Sequence, residues 1–205
     1  MTIRFHKNDL PDLGHYNVDA IAIDTETLGL NPHRDRLCVV QISPGDGTAD
    51  VIQIARGQKT APNLVKLLAD ANITKLFHFG RFDLAVLYHT FGVMPEPVFC
   101  TKIASRLTRT YTDRHGLKDI CSELLGISLS KAQQSSDWAA ETLSPEQLEY
   151  AASDVLYLHR LRDVLASRLA RESRTEEADA CFRFLPTRAK LDLMGWDETD
   201  IFAHS

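Results

Sequence analysis

Ala20-Ile21-Ala22-Ile23-Asp24-Thr25-Glu26 runs four apolar residues straight into two acids. A short apolar run of this kind reads as a buried strand with polar residues at its end. Asp24 and Glu26 are two apart, so a regular strand points both to one face. Side by side they repel, and each raises the proton affinity of the other unless a cation intervenes. An ordinary polar strand end would explain this pair taken alone.

Working outward, residues 37–43 (Leu-Cys-Val-Val-Gln-Ile-Ser) and 49–54 (Ala-Asp-Val-Ile-Gln-Ile) read as two further strands, with Pro44-Gly-Asp-Gly47 as the turn between them. Such short links predict an antiparallel opening to the sheet. Pro62 starts a short helix through Leu64, Leu67 and Leu68, and residues 75–79 form a fourth strand. Gly80 permits a tight turn into a helix over residues 81–91 closed by Gly92, with Asp83 in its first turn. From about Thr101 the pattern is helical. Ser144-Pro145-Glu146-Gln147 is a capping box, and no breaker follows until well past Leu169. One long helix is therefore expected, with Leu148, Ala152, Val155 and Leu156 turned to the core. Tyr150 and Asp154, four apart, share a face of it. The order of elements predicts an α/β fold, a mixed sheet flanked by helices with a helical C-terminal part.

The chain of 205 residues, 44% hydrophobic, fits a single domain over 1–205, with a core at about 20–170 and a tail at 171–205. No apolar run of about 18 residues predicts a membrane span, and the first residues lack the apolar core of a secretion signal. Cys38, Cys100, Cys121 and Cys181 are far apart without a CxxC pair, which favours reduced thiols over zinc or disulfides. A cytoplasmic location is expected. The net charge of −5 argues against broad capture of long nucleic acid. Within residues 102–118, however, Lys102, Arg106, Arg109, Arg114 and Lys118 face only Asp113, and Tyr111 and His115 lie among them. That window reads equally as a nucleic-acid contact and as a solvated face or subunit contact.

An acid pair at a strand end, an acid in a helix start after a glycine turn, and a Tyr/Asp pair on a capped helix are each ordinary alone. Together they suit phosphodiester hydrolysis, in which one metal activates water and a second stabilises the leaving oxygen. Mg²⁺ or Mn²⁺ suits such oxygen ligands. With an unperturbed pKa of about 10, Tyr150 is a poor general base near neutrality, so its hydroxyl is better cast as orienting the attacking water.

Asp24-Thr-Glu26, His78-Phe-Gly80-Arg-Phe-Asp83 and Tyr150-Ala-Ala-Ser-Asp154 resemble the three motifs of the DEDDy branch of the DnaQ-like 3′-5′ exonucleases, specifically the ribonuclease D group. Residues 131–138 and the stretch after Leu143 are similar to that group as well, over about residues 20–165. Cys100-Thr101 departs from the Asp-Thr of many relatives, at a position that is not a metal ligand in the family. Residues 25–38, 77–83, 109–116 and 192–197 look closer still to the nanoRNase C diribonucleases.

The resemblance implies an RNase H-like fold and two divalent cations. Asp24 would bridge both, Glu26 and Asp154 would complete one site, Asp83 would support the second, and Tyr150 would position water. It also implies a homo-octamer acting on very short RNAs such as pGpG. Substrate contacts are expected at Thr25, Glu26, Thr27, Leu30, His78, Trp138 and Tyr150, with Leu30 a candidate wedge between bases. The short stretch after Ala170, without the helical RNA-binding modules of ribonuclease D, fits short substrates. Trimming of longer RNA, DNA exonuclease activity and an inactive nucleic-acid-binding module are the alternatives. Residues 181–186 and 191–196 are too apolar for a free terminus, so the tail is expected to dock on the domain or on a neighbouring subunit.

Overall fold

The computed structural model describes residues 2–130, 132–133 and 135–204. Lys131 and Gln134, in the ribonuclease D-like stretch 131–138, lie outside the described residues. Six strands form one mixed sheet: β1 (Thr2–Lys7), β2 (Ala20–Thr27), β3 (Leu37–Ser43), β4 (Thr48–Gln53), β5 (Thr74–Phe77) and β6 (Val98–Cys100), in the spatial order β1-β4-β3-β2-β5-β6. β2, β3 and β4 pair antiparallel, as their short links require, whereas β1, β5 and β6 join in parallel.

Among the described residues seven α-helices follow or intervene: α1 (Pro62–Ala69), α2 (Gly80–Phe91), α3 (Thr101–Thr108), α4 (Leu117–Leu125), α5 (Pro145–Leu156), α6 (Leu158–Arg171) and α7 (Thr175–Leu191). The fold is the α/β arrangement the sequence predicts, with β1 and β6 added at the sheet edges. Neither added strand has a sequence signature: β1 is a half-exposed strand that mixes charged and apolar residues, and β6 is three residues long.

Strand alternation divides the interior. One face sends Ile21, Ile23, Val40, Ile42 and Ile52 into the main core with Leu84, Leu87, Leu161 and Leu165. Each such buried side chain contributes about 1.5–3 kcal/mol. The other face carries a smaller layer of Val39 and Val51 under Trp138, Leu143 and Ala151, with α5 laid across β3, β4 and β2. The capping box at Ser144 is formed in full, Gln147 N donating to Ser144 Oγ at 3.2 Å and Ser144 N to Gln147 Oε1 at 2.9 Å.

The expected single long helix is instead two. It breaks at Tyr157 without glycine or proline, because α5 packs on the sheet whereas α6 turns to α3 and α4. A second correction concerns the turn before α2: the left-handed residue is Phe79 (φ 68°), and β5 ends two residues earlier, at Phe77. Gly80 is needed for proximity, since a Cβ there would lie 2.7 Å from Phe77 Cβ. Of the charged residues 171–177, which read as solvated helix in the sequence, 172–174 form a turn with Ser173 at φ 55°, while Arg171 ends α6 and 175–177 open α7, exposed. Beyond it α7 packs on α2 and β6, and the π-helical turn Asp192–Trp196 is tied back through Asp192 to Arg81 at 2.5 Å.

Candidate active site

The end of β2 delivers Asp24 and Glu26 to the face covered by α5, and one turn of α5 delivers Tyr150 and Asp154 opposite them. Oxygens of Asp24, Glu26 and Asp154 lie within 4.8 Å of one another, and no other such group of potential ligands occurs among the described residues. Asp83 arrives by a different route. Thr25 points to the opposite face from its two acidic neighbours, and its Oγ1 donates to Asp83 Oδ1 at 2.6 Å. The Asp83 carboxyl is thereby fixed behind β2, buried, close enough for its charge to act on both Asp24 and Glu26.

Electrostatics follow from this crowding. Burial, then Asp83, Asp154 and Glu26, push the Asp24 carboxyl well above the usual carboxylate range. Burial and the charges of Asp154 and Asp83 raise Glu26 to about 9. Burial also raises Asp83 to about 7, against the hydrogen bond from Thr25, and Asp154 to about 7, against that from Tyr150. Burial and the same acids raise the Tyr150 phenol, so it keeps its proton. None of the four carboxylates has an Arg or Lys ion-pair partner among the described residues. Convergent, mutually repelling hard oxygens of this kind fit a divalent cation.

A cavity of about 320 Å³ opens over these acids, and its remaining wall includes His78, Phe79, Lys102, Lys118, Leu129 and Ser130. The basic window of the sequence thus divides. Arg109 is spent on Glu123, as is the Tyr111 hydroxyl, and Arg114 is spent on Asp119. His115 Nδ1 lies 2.9 Å from Ser105 Oγ. Of the basic residues in that window, only Lys102 and Lys118 line the cavity, Lys102 with its ammonium 4.3 Å from the centre of the Phe79 ring. Motif reading missed Phe79 and these lysines as site residues. Charge density alone could not separate the two that line the cavity from those paired elsewhere.

His78 is held at Thr101 Oγ1 (2.9 Å), and burial beside Lys102 lowers it to about 3, so the ring is neutral. Leu30 is 84% exposed at the mouth of an adjoining apolar cavity of about 570 Å³, which shares Phe79 with the first. Thr25, Thr27 and Trp138 stand behind the cavity rather than on its wall. The Thr25 hydroxyl serves Asp83 and that of Thr27 donates to Gly29 O at 2.5 Å, while the Trp138 ring is buried 6.0 Å from that of Tyr150.

A sequence profile of the 3′-5′ exonuclease family matches residues 13–170. Among solved structures, Brucella melitensis NrnC with bound Mg²⁺ is 78% identical with a TM-score of 0.97, and the same protein bound to pGG is 80% identical with a TM-score of 0.98. Both comparisons span 100% of each chain. Ribonuclease D of Gluconacetobacter diazotrophicus is 35% identical over 156 residues, 76% of this chain and 39% of the relative. The chain therefore spans about two fifths of the length of such curated relatives. Family match, sheet order and the convergence of acids at the end of β2 agree: this chain belongs to the ribonuclease D-like 3′-5′ exonuclease family.

Proposed function

We propose that the chain is a 3′-5′ exoribonuclease that hydrolyses very short oligoribonucleotides, dinucleotides such as pGpG above all, to mononucleotides. The observation that carries this reading is the single cavity shared by Asp24, Glu26, Asp154 and Tyr150. Occupancy of the 80%-identical NrnC by pGG supports the substrate class. Asp24, Glu26 and Asp154, with Asp83 held behind them by Thr25, would hold two ions of Mg²⁺ or Mn²⁺. Such ions supply Lewis-acid stabilisation of the charge that develops at the scissile phosphate.

The rest of the chemistry belongs to the chain's own side chains. Tyr150, kept protonated by its acidic surroundings, orients the attacking water through its hydroxyl and does not act as its base. Lys102 and Lys118, which line the same cavity as the acids, offset phosphate charge. Phe79, shared by the two cavities, and Leu30, at the mouth of the second, present apolar surface on which bases separate and stack. Trp138 supports Tyr150 from beneath, and neutral His78 lines the path to the phosphate.

In this reading the whole chain is one exonuclease domain with residues 171–205 as its docked tail. It works in the cytoplasm as a homo-octamer, and no helix among the described residues is long and apolar enough to cross a membrane. Exposed Met194, Trp196 and Phe202 offer apolar surface to a neighbouring subunit. The second reading is stepwise trimming of longer RNA or of DNA; its RNA form is supported by similarity to Escherichia coli RNase D, an exoribonuclease involved in structured RNA processing. An inactive binding module is disfavoured because every acid of the constellation is present.

The test uses 5′-labelled RNAs of two, five and twenty nucleotides, with Mg²⁺ or Mn²⁺ and then with chelator. Fast cleavage of the dinucleotide alone is expected. Equal stepwise shortening of all three would select the second reading, and cleavage unaffected by chelator would remove the metal site.

A further inference from the structure

Gln41, in the middle of β3, is fully buried, yet among the described residues neither its Nε2 nor its Oε1 has a hydrogen-bond partner. An amide left in that state is costly, and a native fold retains one only for a reason. Its neighbours narrow that reason. Along β3 the same face carries Val39 and Ser43, and across the sheet Gln41 is paired directly with Asp24 of β2 and Val51 of β4. Directly opposed residues share a face with Cβ atoms about 4.5–5.5 Å apart.

The two valines offer nothing polar. The hydroxyl of Ser43 already donates to Thr48 O at 2.7 Å and accepts from Gly45 N at 3.2 Å. Of the four, Asp24 alone offers the amide a charged acceptor. In the layer that α5 closes from above stands Trp138, whose Nε1–H is likewise buried without a partner among the described residues.

We infer that Gln41 is a positioning residue for Asp24: when a cation holds the Asp24 carboxylate ionised, Gln41 Nε2 turns to donate to it, and Trp138 Nε1–H donates to Gln41 Oε1. The two hydrogen bonds together fix the orientation of the amide and present Asp24 to a cation in one rotamer. A group that orients a metal ligand in this way typically alters metal affinity 10- to 100-fold when removed. The inference rests on the metal-dependent reading above and adds to it a residue outside the acid motifs.

The experiment is a Mg²⁺ titration of thermal unfolding, and of dinucleotide cleavage, for the wild-type chain, Gln41→Met and Trp138→Phe. Methionine keeps the length of the side chain and removes both polar atoms. Gln41→Met should melt at or above the wild-type temperature without metal, since two unpaired groups are gone. It should need about 10–100-fold more Mg²⁺ to reach half of its metal-induced stabilisation and half of its activity. Trp138→Phe should shift the same curves in the same direction by less.

A Gln41→Met curve superposable on wild type, in both readouts, overturns the role of Gln41. So does a Gln41→Met chain that fails to fold while Gln41→Asn folds, since the amide would then be a packing requirement. A wild-type chain that Mg²⁺ does not stabilise would instead fail the metal reading itself, a separate result.

Discussion

Asp50 on β4 and Asp24 on β2 stand two strands apart in one sheet, and their surroundings are opposite. Asp50 accepts from Arg4 at 2.8 and 2.6 Å, from the Tyr16 hydroxyl at 2.5 Å, and is 2.7 Å from His6 Nε2. Despite burial, those hydrogen bonds hold its carboxyl below the usual value. Asp24 is surrounded by three further acids and its carboxyl is pushed far up. The chain therefore has the means to satisfy a buried carboxylate and applies them on β4, beside the edge strand β1, not at the end of β2. A fold retains that disadvantage where an added cation or substrate removes it.

Substitutions at the unsatisfied cluster should cost activity, and those at the satisfied one stability. The largest effect is expected from Asp24→Asn, a fall of about 10²–10³-fold or more in kcat on a labelled dinucleotide with an unchanged or higher melting temperature in chelator. Wild-type rates in that variant would break the contrast at its centre. Tyr150→Phe follows, with about a 10²-fold loss in kcat and little change in KM if the hydroxyl orients water. A rise in KM alone would make it a substrate contact.

At the other cluster, Tyr16→Phe removes one donor to a buried charge and should destabilise by about 1.5–3 kcal/mol in urea unfolding, with kcat per folded molecule intact. The two clusters also have opposite pH signatures. Asp83 and Asp154 at about 7 and Glu26 at about 9 bind protons in the folded state that the unfolded chain has released. Their stabilisation is present at acid pH and is lost as pH rises through 7 to 9. For Asp50 the sign reverses, and its contribution is lost as pH falls through its lowered value. Melting curves in chelator should therefore decline toward pH 9, and saturating Mg²⁺ should flatten that limb alone. A metal-free melting temperature that rises from pH 6 to 9 would contradict the cluster. The smallest effect is expected at Arg81→Gln, whose pair with Asp192 is partly exposed and shared with Arg188, below about 1 kcal/mol by the same unfolding measurement.

Which features were legible in advance follows from how local they are. The buried run into Asp24, the capping box at Ser144 and the turn at residues 44–47 are encoded within a few residues, and the structure realises each. The break at Tyr157 is not encoded locally, because it arises where the chain changes packing partner. Nor could spacing foresee that Thr25, between two acids, would serve a third acid 58 residues on. The division of the basic window was equally hidden, since Glu123 and Asp119 capture their arginines only after α4 has folded back.

The sequence by itself determined the type and order of the principal elements and the identity of the acids, because period, caps and short motifs are properties of neighbouring residues. Tertiary structure alone decided that Asp24, Glu26 and Asp154 share one cavity, that Asp83 is held behind them, and that Gln41 lies against Asp24 without a partner. Proximity between distant segments is set by strand register and helix packing, and no local pattern carries that information.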